Sequence, residues 1–209
     1  MAMRQLYFSP NSPYARKVRI LLAEKGLEFE PKSMDTGAPP EGFSKLNPNL
    51  RVPILVDGNR TLFESNIILD YLLRTYTGLP AGAAQPPLAP SLTRPDRHWD
   101  DITALVTIET MLDTGLNLFQ LTRDGVKPDQ APYLKKELSR TQTCLDWLES
   151  RAKPDGFVPG QFSILDLNLV CALTWAEFRQ PFAWRGRKNL EAIVARYAER
   201  PSVKSTRPG

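Results

Sequence analysis

Histidine and cysteine, which most often build metal and nucleophilic sites, are almost missing from this chain. Its 209 residues include one histidine, His98, and two cysteines, Cys144 and Cys171. A histidine-based metal cluster or a serine–histidine–aspartate triad is therefore hard to assemble. Both cysteines fall within apolar helical patterns, which indicates small buried side chains rather than a disulfide or a metal site. We expect no bound metal.

Long apolar runs and concentrated charge are also absent. No stretch approaches the ~20 apolar residues of a membrane-spanning helix, and the N-terminus enters a strand-like segment without a signal-peptide core. The 27 basic and 23 acidic residues leave a formal charge of +4. The basic residues do not form the patch, interleaved with aromatics, that marks a nucleic-acid surface. We expect a cytoplasmic protein that binds neither nucleic acid nor membrane.

The first third of the chain alternates between strand and helix patterns. Gln5–Phe8 is typical of a strand, Ser12–Lys25 of an amphipathic helix closed by Gly26, and Leu27–Met34 of a second strand. A strand, helix and strand of this length form a βαβ unit, so the two strands should be parallel.

A hairpin and a helix complete this region. Val52–Val56 and Leu62–Phe63 flank Asp57-Gly58, which is a strong hairpin signal, and Ser65–Tyr76 has the apolar stripe of a helix. A βαβ unit followed by an antiparallel hairpin and a helix is the thioredoxin-like arrangement.

The rest of the chain has helical patterns throughout. The predicted helices are Ile102–Phe119, Leu134–Leu148, Ile164–Phe178 and Leu190–Tyr197. The third is nearly all apolar and should be the buried centre of a bundle, and Pro201 should stop the last. We predict an α+β thioredoxin-like domain over 1–77, a proline- and glycine-rich linker over 78–91, and an all-α helical bundle domain over 92–209.

Three short features of the first region carry candidate chemistry. Ser12 suits a helix N-cap, where it either only caps the helix or donates a hydrogen bond to a bound thiolate; Arg16 and Lys17 nearby favour an anion. The Val52-Pro53 pair opens a central strand, where proline removes a ladder donor. Either this is an ordinary edge-strand proline, or a cis bond turns the Val52 backbone towards a peptide ligand.

The third feature, Glu64-Ser65, precedes an apolar helix. A plain helix cap explains it, and so does a carboxylate site formed by the hydroxyl and the helix amides. One such site is weak evidence. Three at one edge of the same sheet are much stronger evidence for a binding site.

These features lie in segments that together resemble the glutathione S-transferase superfamily. The segments are Ser12–Arg19, Leu46–Leu55, Phe63–Leu72, Ser163–Asp166 and Arg200–Pro208. The first three match its glutathione-binding domain in order and spacing. The fourth matches its capping box, with Phe162 and Leu167 placed for the hydrophobic staple.

The resemblance implies a glutathione site made of Lys45, Arg51, Val52, Pro53, Glu64 and Ser65. The Val52 backbone would pair with the cysteinyl backbone, Glu64 with Ser65 would hold the γ-glutamyl end, and the two cations are candidates for the glycyl carboxylate. It also implies a homodimer, for which Asp70 and Arg74 offer opposite charges, although a solvated pair explains them equally well.

Ser12 stands where other members carry a catalytic serine or cysteine. No cysteine lies beside it, which disfavours glutaredoxin-like mixed-disulfide chemistry, and the hydroxyls of Ser9 and Tyr7 remain alternatives. The implied enzyme is a transferase of the detoxification type that conjugates glutathione, as co-substrate, to a small hydrophobic electrophile. A glutathione-dependent peroxidase or isomerase, or a non-catalytic binding or regulatory member of the superfamily, are the alternatives.

Overall fold

The computed structural model describes residues 3–35 and 37–209, which form two compact units. The first comprises the chain up to Leu92 together with Arg200–Gly209, and the second is Thr93–Glu199. The predicted boundaries differ in that they assigned 78–91 to a linker and 200–209 to the helical domain. The contacts of the last ten residues explain the second difference.

The first unit is built on a mixed four-stranded sheet with the strand order β2-β1-β3-β4. Its elements are β1 Gln5–Phe8, α1 Pro13–Glu24, β2 Glu30–Ser33, α2 Phe43–Leu46, β3 Ile54–Asp57, β4 Arg60–Phe63 and α3 Ser65–Thr75. Strand β1 pairs in parallel with β2 and antiparallel with β3, and β3 pairs antiparallel with β4. The predicted βαβ unit and hairpin are confirmed.

The second unit is helical, as predicted. Its helices are α4 His98–Arg123, α5 Pro132–Arg151, α6 Ile164–Arg179 and α7 Lys188–Tyr197. Every residue of α6 from Ile164 to Leu173 is buried, which confirms it as the central helix. None of the helices in the described part of the chain combines the length and apolar character that a membrane crossing requires.

The start of α6 is fixed by a buried capping box. The Asp166 carboxylate accepts hydrogen bonds from the Ser163 N–H (3.0 Å), the Ser163 hydroxyl (2.6 Å) and the Phe157 N–H (3.0 Å). Burial raises the pKa of Asp166 to about 6. Gly156 has φ +120°, and a Cβ there would lie 2.9 Å from the Asp166 carboxylate, so the packing requires glycine.

Replacement of Asp166 by alanine should lower the free energy of unfolding at pH 7.5 by about 2–3 kcal/mol, because three buried donors lose their acceptor. The midpoint of thermal unfolding should fall by about 5–10 °C. Circular dichroism melts check this, with the exposed Asp155→Ala as the control. Equal midpoints for the two variants would contradict a structural role for the box.

The chain returns to the first unit after α7. Pro201 was predicted to stop the last helix, but α7 already ends at Tyr197 and Pro201 begins a further short helix, α8 Pro201–Lys204. Proline is favoured at the first position of a helix, where its missing N–H has no intrahelical partner to lose.

Hydrogen bonds attach this C-terminal segment, residues 200–209, to α1. Both carboxylate oxygens of Glu24 accept from the Arg200 guanidinium at 2.7 Å, and all these groups are buried. Nearer the start of α1, the Arg16 guanidinium donates to the Val203 carbonyl at 3.0 Å and to the Thr206 hydroxyl at 3.3 Å. The segment therefore follows α1 from one end towards the other.

Candidate functional site

Strand register brings the three predicted features to one edge of the sheet. Tyr7 at the end of β1 lies opposite Ile54 at the start of β3, and Ile54 lies opposite Phe63 at the end of β4. Ser12 follows β1, the Val52-Pro53 pair precedes β3, and Glu64-Ser65 follows β4. All three therefore emerge at the same edge.

Ser12 is the N-cap of α1. Its hydroxyl oxygen accepts from the Ala15 N–H at 3.2 Å, and its own N–H donates to the Ser9 carbonyl at 3.0 Å. Because the oxygen is used as an acceptor, the hydroxyl hydrogen can still be donated outward. The positive end of the helix dipole favours an anion in front of this hydroxyl.

The other nearby hydroxyls differ in their position. The Tyr7 hydroxyl donates to the Gln5 side chain at 3.4 Å, two residues back along β1 and so away from the edge that Ser12 follows. The Tyr7 ring packs against a buried cluster that contains Phe43 and Val52. Ser9 lies in the same turn as Ser12 and is half-buried, so it remains the alternative to Ser12.

The Val52–Pro53 peptide bond is cis, as predicted. The Val52 side chain is buried. Among the residues that the structure describes, no hydrogen-bond partner serves the N–H or the C=O of Val52. Both groups lie just outside β3 and suit pairing with an extended peptide, which would be held like an added strand.

Glu64 and Ser65 form the start of α3. Glu64 is the N-cap with φ 68°, a left-handed conformation that is costly for a residue with a Cβ. Its side chain does not cap the helix; instead it accepts a hydrogen bond from the Asn49 amide at 2.8 Å. Ser65 is buried, and it stands at a helix N-terminus, a position that suits an anion.

Two asparagines order the loop before the cis bond, and sequence reasoning gave them no role. The buried Asn47 amide donates to the Arg51 carbonyl at 2.8 Å, and its oxygen accepts from the Asn49 N–H at 2.9 Å. The Asn49 side-chain amide in turn donates to the Glu64 carboxylate. The sequence feature that could have identified them is the turn-forming motif Asn47-Pro48-Asn49. It lies within Leu46–Leu55, one of the segments that resemble the superfamily.

The predicted cations take different positions. Lys45 and Arg51 are exposed, and within the described chain neither pairs with a carboxylate. Arg16 and Lys17 are buried. The Arg16 guanidinium hydrogen-bonds the Val203 carbonyl and the Thr206 hydroxyl of the C-terminal segment. The expectation that Arg16 and Lys17 favour an anion beside Ser12 stays a prediction.

Family models agree with this architecture. The N-terminal domain of glutathione S-transferase matches residues 6–80, and the C-terminal domain of glutathione S-transferase matches residues 131–196. The two matches fall on the sheet-containing unit and on the helical unit. Together they define the family of proteins to which the fold corresponds.

Individual relatives cover almost the whole chain. Glutathione S-transferase 3 of Zea mays is 31% identical over 99% of this chain and 94% of its own length. A Methylobacterium radiotolerans glutathione S-transferase, solved in complex with glutathione sulfonate, superimposes with a TM-score of 0.79 at 26% identity, over 99% of this chain and 95% of that one. A stringent starvation protein A homolog of Haemophilus ducreyi is 26% identical over 96% of this chain and 88% of its own. The chain belongs to the glutathione S-transferase family, which confirms the predicted fold and enzyme class.

Proposed function

We propose that the protein conjugates the thiolate of glutathione to small hydrophobic electrophiles, in a detoxification role. The observation that carries the proposal is the convergence of an N-capped helix, an unpaired Val52 backbone and the start of α3 at one sheet edge. A relative solved with glutathione sulfonate supports glutathione as the ligand.

In this proposal each end of glutathione has its own partner. The Val52 N–H and C=O pair with the cysteinyl backbone, and the Glu64-Ser65 start of α3 holds the γ-glutamyl carboxylate and ammonium. Asn49 keeps the Glu64 carboxylate in place. Lys45, in α2, and Arg51, directly before Val52, are assigned to the glycyl carboxylate because both are exposed cations.

In the same proposal the Ser12 hydroxyl donates a hydrogen bond to the sulfur of glutathione. A free thiol has a pKa near ~8.5, and lowering it by about two units corresponds to roughly 2.7 kcal/mol. A hydrogen bond to a charged group contributes on the order of 1.5–3 kcal/mol, so the Ser12 hydroxyl supplies most of the difference. The thiolate then attacks the electrophilic carbon, its leaving group departs, and no metal takes part in the step.

Glutathione binding should weaken about tenfold when Glu64→Ala and Ser65→Ala are combined, because the γ-glutamyl end loses its hydrogen-bond partners. Isothermal titration calorimetry measures this directly. Arg60→Ala on exposed β4 is a matched control on the same unit. An unchanged dissociation constant in the double variant would remove the assignment.

A binding protein without turnover is the second candidate. It is favoured by the similarity to the Haemophilus ducreyi protein, whose name describes starvation rather than a transfer reaction. Retention on immobilised glutathione followed by an assay with 1-chloro-2,4-dinitrobenzene separates the two candidates. Retention without turnover would support the binding protein, and turnover supports the transferase.

We also propose a homodimer in the cytoplasm, where the glutathione pool is reduced. Exposed Leu50 and Ile67 on the first unit are candidates for its interface. Asp70 and Arg74 pair with each other at 2.8 Å within the chain, which supports the solvated-pair interpretation. Sedimentation at micromolar concentration should give twice the chain mass, and a monomer would contradict the dimer.

A further inference from the structure

Ser12 lies between two contacts that the C-terminal segment makes with the start of α1. The turn before Ser12 is closed by the Ser12 N–H, which donates to the Ser9 carbonyl at 3.0 Å. Asn11 belongs to this turn, and its side-chain oxygen accepts a hydrogen bond from the Gly209 N–H at 3.2 Å. The C-terminal segment therefore holds the turn that leads into Ser12.

The second contact lies one helical turn after Ser12. The Arg16 N–H donates to the Ser12 carbonyl at 3.0 Å, as the first backbone bond of a capped helix does. The Arg16 guanidinium donates to the Val203 carbonyl at 3.0 Å and to the Thr206 hydroxyl at 3.3 Å. The backbone and the side chain of Arg16 therefore connect Ser12 to the C-terminal segment.

The connection through Arg16 is buried and oriented. Arg16 is 2% exposed and Thr206 is 6% exposed. The Thr206 hydroxyl donates its own hydrogen to the Ser202 carbonyl at 2.8 Å, which leaves the hydroxyl oxygen to accept from Arg16. Hydrogen bonds that are shielded from water and linked in this way strengthen one another. The start of α1 is therefore held at a fixed position by residues far away in the sequence.

A donor to a thiolate is effective only at the correct distance and angle, and a displacement of about 1 Å in a reacting group can cost on the order of a hundredfold in rate. We propose that Thr206 and Arg16 are positioning residues, which hold the Ser12 hydroxyl where it can donate to the thiol of bound glutathione. This inference deepens the proposed function and rests on it. Neither residue is assigned a contact with glutathione, since both act through Ser12.

The pKa of the bound thiol tests the proposal, and ultraviolet difference spectra of bound glutathione recorded against pH report it. Thr206→Val should raise this pKa by about 0.5 unit, as part of the rise of about 1–2 units expected for Ser12→Ala. Thr206→Ser keeps the hydroxyl and should restore the original value. Ser205→Ala, which removes an exposed hydroxyl from the same segment, is the matched control. An unchanged pKa in Thr206→Val would overturn the proposal.

The same substitution in the Ser12→Ala variant distinguishes positioning from a general loss of stability. If Thr206 acts through Ser12, Thr206→Val should not raise the thiol pKa any further in that variant, because the group that it positions is already absent. The melting temperature should fall in either background. A further rise of the pKa equal to that in the unsubstituted chain would contradict positioning.

Arg16→Lys separates the position of Ser12 from the charge beside it. Lysine keeps the positive charge but lacks the planar fork with which the guanidinium donates to Val203 and Thr206 together. The thiol pKa should therefore rise in this variant, as in Thr206→Val. If it stays constant, Arg16 acts through its charge and has no positioning role.

Hydrogen exchange distinguishes failure of this inference from failure of the proposed function. The Ala15 N–H is bonded to the Ser12 hydroxyl oxygen, so its exchange rate, followed by NMR on the full chain, reports on Ser12 without any ligand. Thr206→Val should speed this exchange about twofold to tenfold, and Ser205→Ala should not. If glutathione binds with the thiol pKa of the free peptide, the proposed role of Ser12 fails. The exchange rates still decide whether the C-terminal segment positions Ser12, and an unchanged rate in Thr206→Val shows that it does not.

Discussion

Ser12→Ala is expected to lower the conjugation rate near neutral pH by about tenfold to a hundredfold, because one donor to the thiolate contributes on the order of 1.5–3 kcal/mol. The affinity for glutathione should change little, since the peptide is held by other groups. As the pH rises, the variant should regain activity, because the pKa of its bound thiol returns towards ~8.5 and the thiol ionises unaided. Rates from pH 6 to 10 with 1-chloro-2,4-dinitrobenzene check both effects.

Two further variants separate catalysis from helix capping. Ser12→Ala also removes the cap of α1. This structural effect lowers the melting temperature, but by itself it does not change the pH dependence of the rate. Ser12→Thr keeps the hydroxyl and the cap and should restore the rate. If Ser12→Ala left the rate and pH profile unchanged while Ser9→Ala abolished activity, the catalytic hydroxyl would be that of Ser9.

Arg200→Met is expected to lower the free energy of unfolding by about 3–5 kcal/mol, because it leaves the Glu24 carboxylate buried without its cation. The change also removes the hydrogen bonds from Arg200 to the carbonyls of Pro86 (2.8 Å) and Ala84 (3.3 Å). Thermal and urea unfolding measure the loss. Arg74→Met, which breaks an exposed ion pair with Asp70, should cost less than about 1 kcal/mol.

The double variant Glu24→Leu with Arg200→Met tests whether the uncompensated charge causes the loss. A buried ion pair replaced by apolar side chains of similar volume is often close to neutral. The double variant should therefore be more stable than Arg200→Met alone. If the two single effects simply add, the contribution of Arg200 comes from its carbonyl contacts instead.

Several features of both units could be predicted because their signals are local. The bounds of β1 at Gln5–Phe8 follow from a short apolar run and its polar stop, and the N-caps at Ser12 and Ser163 depend on residues no more than three positions away. The conflict between proline and a central strand raised the cis bond before Pro53 as one of two alternatives, and the structure has it. Each of these features is decided within a few residues.

Contacts between distant parts of the chain could not be predicted in this way. No local pattern indicates that the Arg16 guanidinium meets Thr206, which is 190 positions away, or that Arg200 meets Glu24, 176 positions away. The side chains of α4 and α6 that face each other are likewise set by packing. The electrophile could not be inferred for the same reason.

The return of residues 200–209 to α1 makes the helical unit an insertion into the first unit rather than an appendage to it. During synthesis, Arg200 leaves the ribosome only after the whole helical unit. The Glu24 carboxylate therefore cannot form its ion pair with Arg200 until then. A fragment that ends at Leu92 would lack that partner altogether. Exchange of the helical unit between relatives therefore requires two crossover points, one near residue 92 and the other near residue 200.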